Sequence, residues 1–235
     1  KSHFFMKKKQ SCIFLGKKNC NFTDSAIKFL NKKFNVTSIL THNIIGEKKN
    51  LSKIKSDYLF SYSTKLIIPK EVFKRIKYGS FNFHNALPQY PGSGGNVLSI
   101  YNNDKFCGNT IHYLSENIDQ GKIIFVEKYI MDKNFNIQDL LKFVSKKKLI
   151  LFKYFIGKIS DHNWIKKMEK KFSNEKWAKK VVKMKYINQL RQINLNMEKK
   201  DVDKIIKAFS FKKYKPYIIF KKNKFSLDKI WSTKF

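Results

Sequence analysis

The chain opens its apolar pattern with a short run, SCIFLG (11–16), that closes on a glycine and predicts a buried strand. TDSAIKFLNKKF (23–34) then sets Ala26, Ile27, Phe29, Leu30 and Phe34 at helical spacing, with Thr23 or Asp24 as the expected N-cap. NVTSILTH (35–42) predicts a second strand. Strand, helix, strand in that order is the βαβ unit of a parallel α/β sheet. DYLFSYS (57–63) and GSFNFHN (79–85) predict two further strands, separated by PKEVFKRIK (69–77), a helix with Pro at its first position. GNTIHYL (108–114) and GKIIFVEKYIM (121–131) predict two more. Residues 136–159 have the period of a long amphipathic helix whose lysines fill the outer face. After a polar, Lys-heavy stretch around Trp164 and Trp177, residues 201–211 predict a short helix, and 215–227 a hairpin turning at Lys222-Asn223. No internal repeat or low-complexity linker separates the halves. The pattern divides into an α/β unit over 1–135 and, over 136–235, a helical linker with a small C-terminal region ending in the hairpin.

Composition narrows this picture. At 42% hydrophobic and 15% aromatic residues, the chain buries enough apolar surface to offset its ordering entropy. Its net charge of +33 points first to nucleic acid or a membrane. Yet Arg75 and Arg191 are the only arginines among 50 basic residues, and Lys is a solvated point charge rather than a forked phosphate binder. A solvated basic surface is the preferred reading, with nucleic acid disfavoured as a partner. Cys12, Cys20 and Cys107 are widely spaced and form no C-x-x-C, so three reduced thiols in a cytoplasmic protein are expected, with no zinc site. No apolar run is long enough to span a bilayer. Met6 reads as the natural start, with residues 1–5 an addition.

Chemistry enters at FNFHNALPQYPGSGGN (81–96). Asn82 and His84 are two apart in a predicted strand and so share a face. TIHYLSENIDQGKI (110–123) adds His112 and a loop carrying Asp119 before Gly121. PGSGGN has the texture of a phosphate nest, but it neither follows the first strand nor carries Lys-Ser/Thr. It reads better as a mobile rim. The ordered set of Asn82-x-His84, Pro88 to Gly92, Thr110-x-His112 and Asp119-x-Gly121-x-Ile123 resembles the formyltransferases that use N10-formyltetrahydrofolate. YSTKLIIPKEV (62–72) is also similar to a segment of that family.

The resemblance implies a Rossmann-like domain with a mostly parallel sheet and a small C-terminal region of helices and a β-hairpin. It also implies formyl transfer from N10-formyltetrahydrofolate to an amine without a metal. His84 would then serve as general acid/base, Asp119 would fix its ring, and Asn82 would donate to the oxyanion. Leu66, Ile67, Ile68 and Asn117 would meet the folate, Tyr90 would be available for stacking on the acceptor, and His112 would be structural.

The acceptor is read from departures within the family. LGKKNCNF (15–22) lacks the Gly/Ser-rich phosphate loop of purine-pathway members. HNALPQYPG (84–92) is a residue shorter than the methionyl-tRNA pattern and has Pro91 where Arg is usual, and the stretch after about 160 is expected to be too short for an OB-type domain. The loop and the final segment look like those of sugar N-formyltransferases. The resemblance therefore implies a nucleotide-linked amino sugar, such as a dTDP-4-amino-4,6-dideoxyhexose for surface polysaccharide (lipopolysaccharide O-antigen). Apolar residues Phe209, Phe211, Tyr214, Tyr217 and Phe220 would either cap the α/β unit or pair two subunits, with a homodimer through the C-terminal region the preferred reading. A methionyl-tRNA formyltransferase and a non-catalytic basic binding protein are the alternatives.

Overall fold

The computed structural model describes residues 9–41, 55–64, 66–211 and 214–227. In chain order its elements are β1 (Ser11–Lys17), α1 (Asn21–Asn31), β2 (Asn35–Thr41), β3 (Tyr58–Tyr62), α2 (Lys70–Phe73), β4 (Gly79–His84), α3 (Gly95–Tyr101), β5 (Phe106–Tyr113) and β6 (Ile123–Ile130). There follow α4 (Ile137–Lys158), α5 (His162–Lys171), α6 (Met184–Leu190), α7 (Lys199–Phe209), β7 (Tyr217–Phe220) and β8 (Asn223–Ser226). Strands β1 to β4 pair in parallel, and β5 and β6 add on antiparallel, giving the order β2-β1-β3-β4-β5-β6. This is the Rossmann-like α/β architecture with a mostly parallel sheet, and β7 and β8 form the small C-terminal hairpin.

Strand β1 shows why the sheet centre is stable. Cys12 and Phe14 enter the core on one face, Ile13 and Leu15 on the other, and all four are buried, as expected of a strand covered on both sides. On the first face Phe152 of α4 meets the rings of Phe14, Phe60, Tyr62 and Phe83 at 4.7 to 6.2 Å. Asn136 starts α4 with a capping box: its side chain accepts from the Gln138 and Asp139 N–H groups, and Asp139 accepts from the Asn136 N–H. Because α4 covers the sheet, this core runs across the boundary the sequence pattern draws at 135. A second core gathers α3, the first half of α4 and α7 around Leu98, Ile100, Leu140, Val144, Ile205 and Phe209.

Several expectations are corrected. Helix α1 starts at Asn21 with Cys20 at the cap, so Thr23 lies inside it and is buried. The helix expected over 69–77 is a single turn, because the Lys77 and Tyr78 N–H groups bond to Ser56 and Asp57 carbonyls ahead of β3. The glycine-rich rim is half helix: Gly94, at φ 77, caps α3. Helices α5 and α6 went unread in the polar stretch, although Asp161 caps the first by accepting from the Trp164 N–H. Lys148, expected on the outer face of α4, is buried. His42, at the end of the second expected strand, lies outside the described residues.

Candidate active site

Strand β4 delivers Asn82 and His84 to the C-terminal edge of the sheet, with Asn82 paired opposite His112 of β5. The β5–β6 register shifts between Ile111 and His112, where Ile124 is the extra residue on β6. Asp119 comes from the loop joining β5 to β6 and sits in the left-handed region at φ 48, which Asp tolerates better than most residues. Gly121 follows under the Tyr113 carbonyl, where an added Cβ would lie 1.7 Å from the oxygen. Only glycine lets this loop close so tightly.

The three elements converge on the Asp119 carboxylate. Its Oδ1 accepts from Asn82 Nδ2 at 2.9 Å and lies 3.3 Å from His112 Nε2. Its Oδ2 accepts from the Gly92 N–H at 2.9 Å and lies 3.3 Å from His84 Nδ1. Two N–H groups, from Asn82 and Gly92, donate to this carboxylate, and two imidazole nitrogens stand beside it. Burial pushes the Asp119 carboxyl up, but His112 and His84 in their charged forms, donating to it and adding positive charge, outweigh burial and hold the group well below the usual carboxylate range.

The partners fix each ring. His112 Nδ1 lies 2.8 Å from the Tyr113 carbonyl, which can only accept, so Nδ1 carries the hydrogen in the neutral ring. Its Nε2 then accepts the second Asn82 amide hydrogen at 3.0 Å. His84 Nε2 lies 3.0 Å from the Tyr90 carbonyl, again an acceptor, so this nitrogen carries a hydrogen. Two sequence expectations change here. Both Asn82 amide hydrogens are already engaged, so neither is directed at an oxyanion as arranged. Tyr90 offers no face for stacking: its ring is buried beside Ala86, Leu98 and Ile100, and its hydroxyl donates to Asp104 at 2.7 Å. The site contact from Tyr90 is its backbone.

The other expected residues lie in two places. The segment after β3 leaves the same sheet edge, since β3 and β4 are parallel. It buries Leu66 against Leu15, Leu59 and Val72, leaves Ile67 more than half exposed, and packs Ile68 at the margin of that cluster. Asn117 is exposed and lines a groove of about 430 Å³ with Glu116, Ile118, Gln120, Lys179 and Val181.

Sequence reasoning missed the chain after α5. Trp177 sets its ring perpendicular to His84 and His112, with centroids 5.6 and 4.9 Å away. It donates its indole N–H to the Gly121 carbonyl at 2.7 Å. Residues 178–182 then run beside the loop of Pro88 to Ser93, and a Cβ on Gly92, at φ 91, would come within 2.5 Å of the Val182 carbonyl. No motif or spacing marked this segment.

Among the described residues no group of three His, Cys, Asp or Glu could hold a metal ion, and no helix is long and apolar enough to cross a membrane. Among known proteins, the chain is similar over 162 residues, at 27% identity, to a methionyl-tRNA formyltransferase of Clostridium tetani; the match covers 68% of this chain and 50% of that one. The chain thus spans about half the length of that relative. In fold it is similar to a 4-N formyltransferase from Francisella tularensis, with TM-score 0.72 and 21% identity over 96% of this chain and 99% of the other. It is also similar to an N-formyltransferase from Helicobacter canadensis solved with folinic acid and dTDP-3-aminofucose, with TM-score 0.68 and 22% identity over 91% and 85% of the two chains. The formyl transferase family model matches residues 23–152, more than half of the chain and the stretch that carries Asn82, His84, His112 and Asp119. The protein belongs to the formyl transferase family.

Proposed function

We propose that this protein transfers a formyl group from N10-formyltetrahydrofolate to the amine of a nucleotide-linked amino sugar. The observation that carries this reading is the convergence of Asn82, His84 and His112 on one buried carboxylate at the C-terminal sheet edge. The folate supplies an activated formyl carbon. The residues present fit it: Ile67 offers exposed apolar surface for a pterin, and Asn117, Ile118 and Gln120 of the loop that carries Asp119 line an open groove. In the reaction a bond forms from the amine nitrogen to the formyl carbon, and the bond from that carbon to N10 breaks. For His84 to take the amine's proton at Nε2 and return it to N10, the neutral ring must hold its hydrogen on Nδ1, against Asp119, with Nε2 released from the Tyr90 carbonyl. Asn82 turns one amide hydrogen from His112 toward the formyl oxygen as charge gathers there. Asp119 keeps Nδ1 of His84 oriented throughout.

The sugar assignment rests on the shortened loop at 84–92 and on the fold shared with the Helicobacter protein, whose ligands are folinic acid and dTDP-3-aminofucose. A dTDP-4-amino-4,6-dideoxyhexose destined for lipopolysaccharide O-antigen, a cytoplasmic location and a homodimer through the C-terminal region complete the proposal. A methionyl-tRNA acceptor is the second reading, favoured by the Clostridium relative and the net charge of +33.

Purified protein supplied with N10-formyltetrahydrofolate and either a dTDP-amino sugar or initiator methionyl-tRNA tests both. The expected result is formylated sugar, with tRNA neither formylated nor bound in a steeply salt-dependent way. His84→Ala and Asp119→Ala should each lower turnover by at least about a hundredfold. Near-wild-type rates in both variants would remove the catalytic assignment.

A further inference from the structure

We infer that Trp177 is a positioning residue for the two histidines, acting through ring contact and through the Gly121 carbonyl; this rests on the formyl-transfer reading of the site. Trp177 lies beyond the residues the family match covers, on the connection between α5 and α6. A histidine ring held only by hydrogen bonds can turn about its final torsion, which is broad and roughly two-fold. Such a turn would take Nδ1 of His84 away from Asp119 and Nε2 away from the position where it exchanges a proton. The indole stands perpendicular to both imidazoles and blocks that turn from one side for both. The ring also packs with the apolar cluster of Leu87, Ile123 and Val126, with Phe172 beside it.

The indole N–H fixes a second coordinate. By bonding to Gly121 O, it pins the turn two residues after Asp119. The next residue continues the job: the Ala178 N–H donates to Pro88 O at 3.0 Å, and Gln120 Nε2 donates to Ala178 O at 3.1 Å. Farther on, the Val182 N–H donates to Pro91 O at 2.8 Å, and the Ser93 N–H donates to Val182 O at 2.9 Å. The loop that supplies Tyr90 O and Gly92 N is therefore tied to the same strap as the loop that supplies Asp119. Trp177 sits where that strap meets the rings. An ångström of slack at such a point costs about a hundredfold in rate, because the reacting atoms lose alignment.

The test uses Trp177→Phe, which keeps a ring but loses the N–H, and Trp177→Leu, which loses both. Turnover should fall by about tenfold in the first and about a hundredfold in the second, with KM for either substrate changed by less than about threefold. Imidazole ¹⁵N and ¹H resonances provide a readout independent of turnover. Those of His84 and His112 should move in both variants, while those of His162, beside Tyr78 at the N-terminal end of α5, stay in place. Should the Leu variant not fold, the Phe variant decides. Unmoved His84 and His112 resonances in the Phe variant, or wild-type kcat with raised KM in either variant, would overturn the inference. If the wild type formylates no acceptor, the functional reading fails instead, and the resonances still judge the role of Trp177.

Discussion

Lys148 illustrates what one residue can cost. It occupies a position on the apolar stripe of α4, four residues after Val144 and four before Phe152, and its ammonium is enclosed. The Tyr62 ring lies 4.3 Å from Nζ, and Nζ donates to the Ser63 hydroxyl. Neither contact replaces a full hydration shell. Burial pushes the Lys148 amine down to about 7, with the charge of Lys17 adding to the shift and Cys20 opposing it. The sign of the linkage follows. In the folded state the group releases its proton near 7, whereas the unfolded chain holds it up to about 10.4. The unfolded state therefore binds more protons between those limits, so this residue's penalty is full below the lower one and vanishes above the upper one. Lys148→Met should stabilise the protein by about 2 kcal/mol below pH 7, the scale seen when a buried charge gives way to a packed apolar chain. The gain over wild type should shrink steadily toward pH 10. Urea unfolding of both proteins across that range measures it, and a pH-independent difference would show that Lys148 is not the titrating group.

At the scale of elements, the β7–β8 hairpin carries a local conflict that the sequence pattern misplaced by one residue. Its turn is Lys221-Lys222, both with positive φ, at 47 and 66 degrees. This is the two-residue geometry that favours Asn-Gly, and lysine pays a steric penalty in the left-handed region. Replacing the pair by Asn-Gly should raise hydrogen-exchange protection of the hairpin amides, 217–226, by roughly fivefold, equivalent to about 1 kcal/mol of relieved strain. Unchanged protection would mean that contacts around Tyr217, not the turn, set the hairpin's stability. The same comparison shows what was legible in the residues. Strands β1 and β3 were readable because continuous burial on both faces writes itself as unbroken apolar runs. Helix α4 was readable from its period, yet Lys148 on that stripe was assigned by residue type rather than by spacing. Helix α3 was hidden by glycines, one of which it needs as a left-handed cap. Within the site, Asn82 and His84 were legible because a strand fixes which side chains share a face. Asp119 was found only through family spacing. Trp177 could not be found, because nothing local records that a polar stretch doubles back over the sheet edge.

The whole molecule carries 50 basic residues against 17 acidic ones. Most lysines therefore have lysines rather than carboxylates within a screening length, and the sum of these repulsions opposes the compact state. Ion pairs such as Lys128–Glu175 and Lys122–Glu169 work against this, but they are partly exposed and individually weak. Repulsion should win. Raising the salt from about 20 mM to about 0.5 M shortens the Debye length from roughly 20 Å to under 5 Å, which quiets the distant repulsions before the close pairs. The urea midpoint should rise over that range with an unchanged slope, the mark of a stability change without a change in exposed surface. The excess positive charge also bears on the proposed function, because it attracts a diphosphate-bearing substrate from a distance. KM for the nucleotide sugar should therefore increase over the same salt series while kcat holds. A midpoint that falls as salt is added would mean that the few ion pairs outweigh the many like charges, and that the surface lysines are better partnered than their number implies.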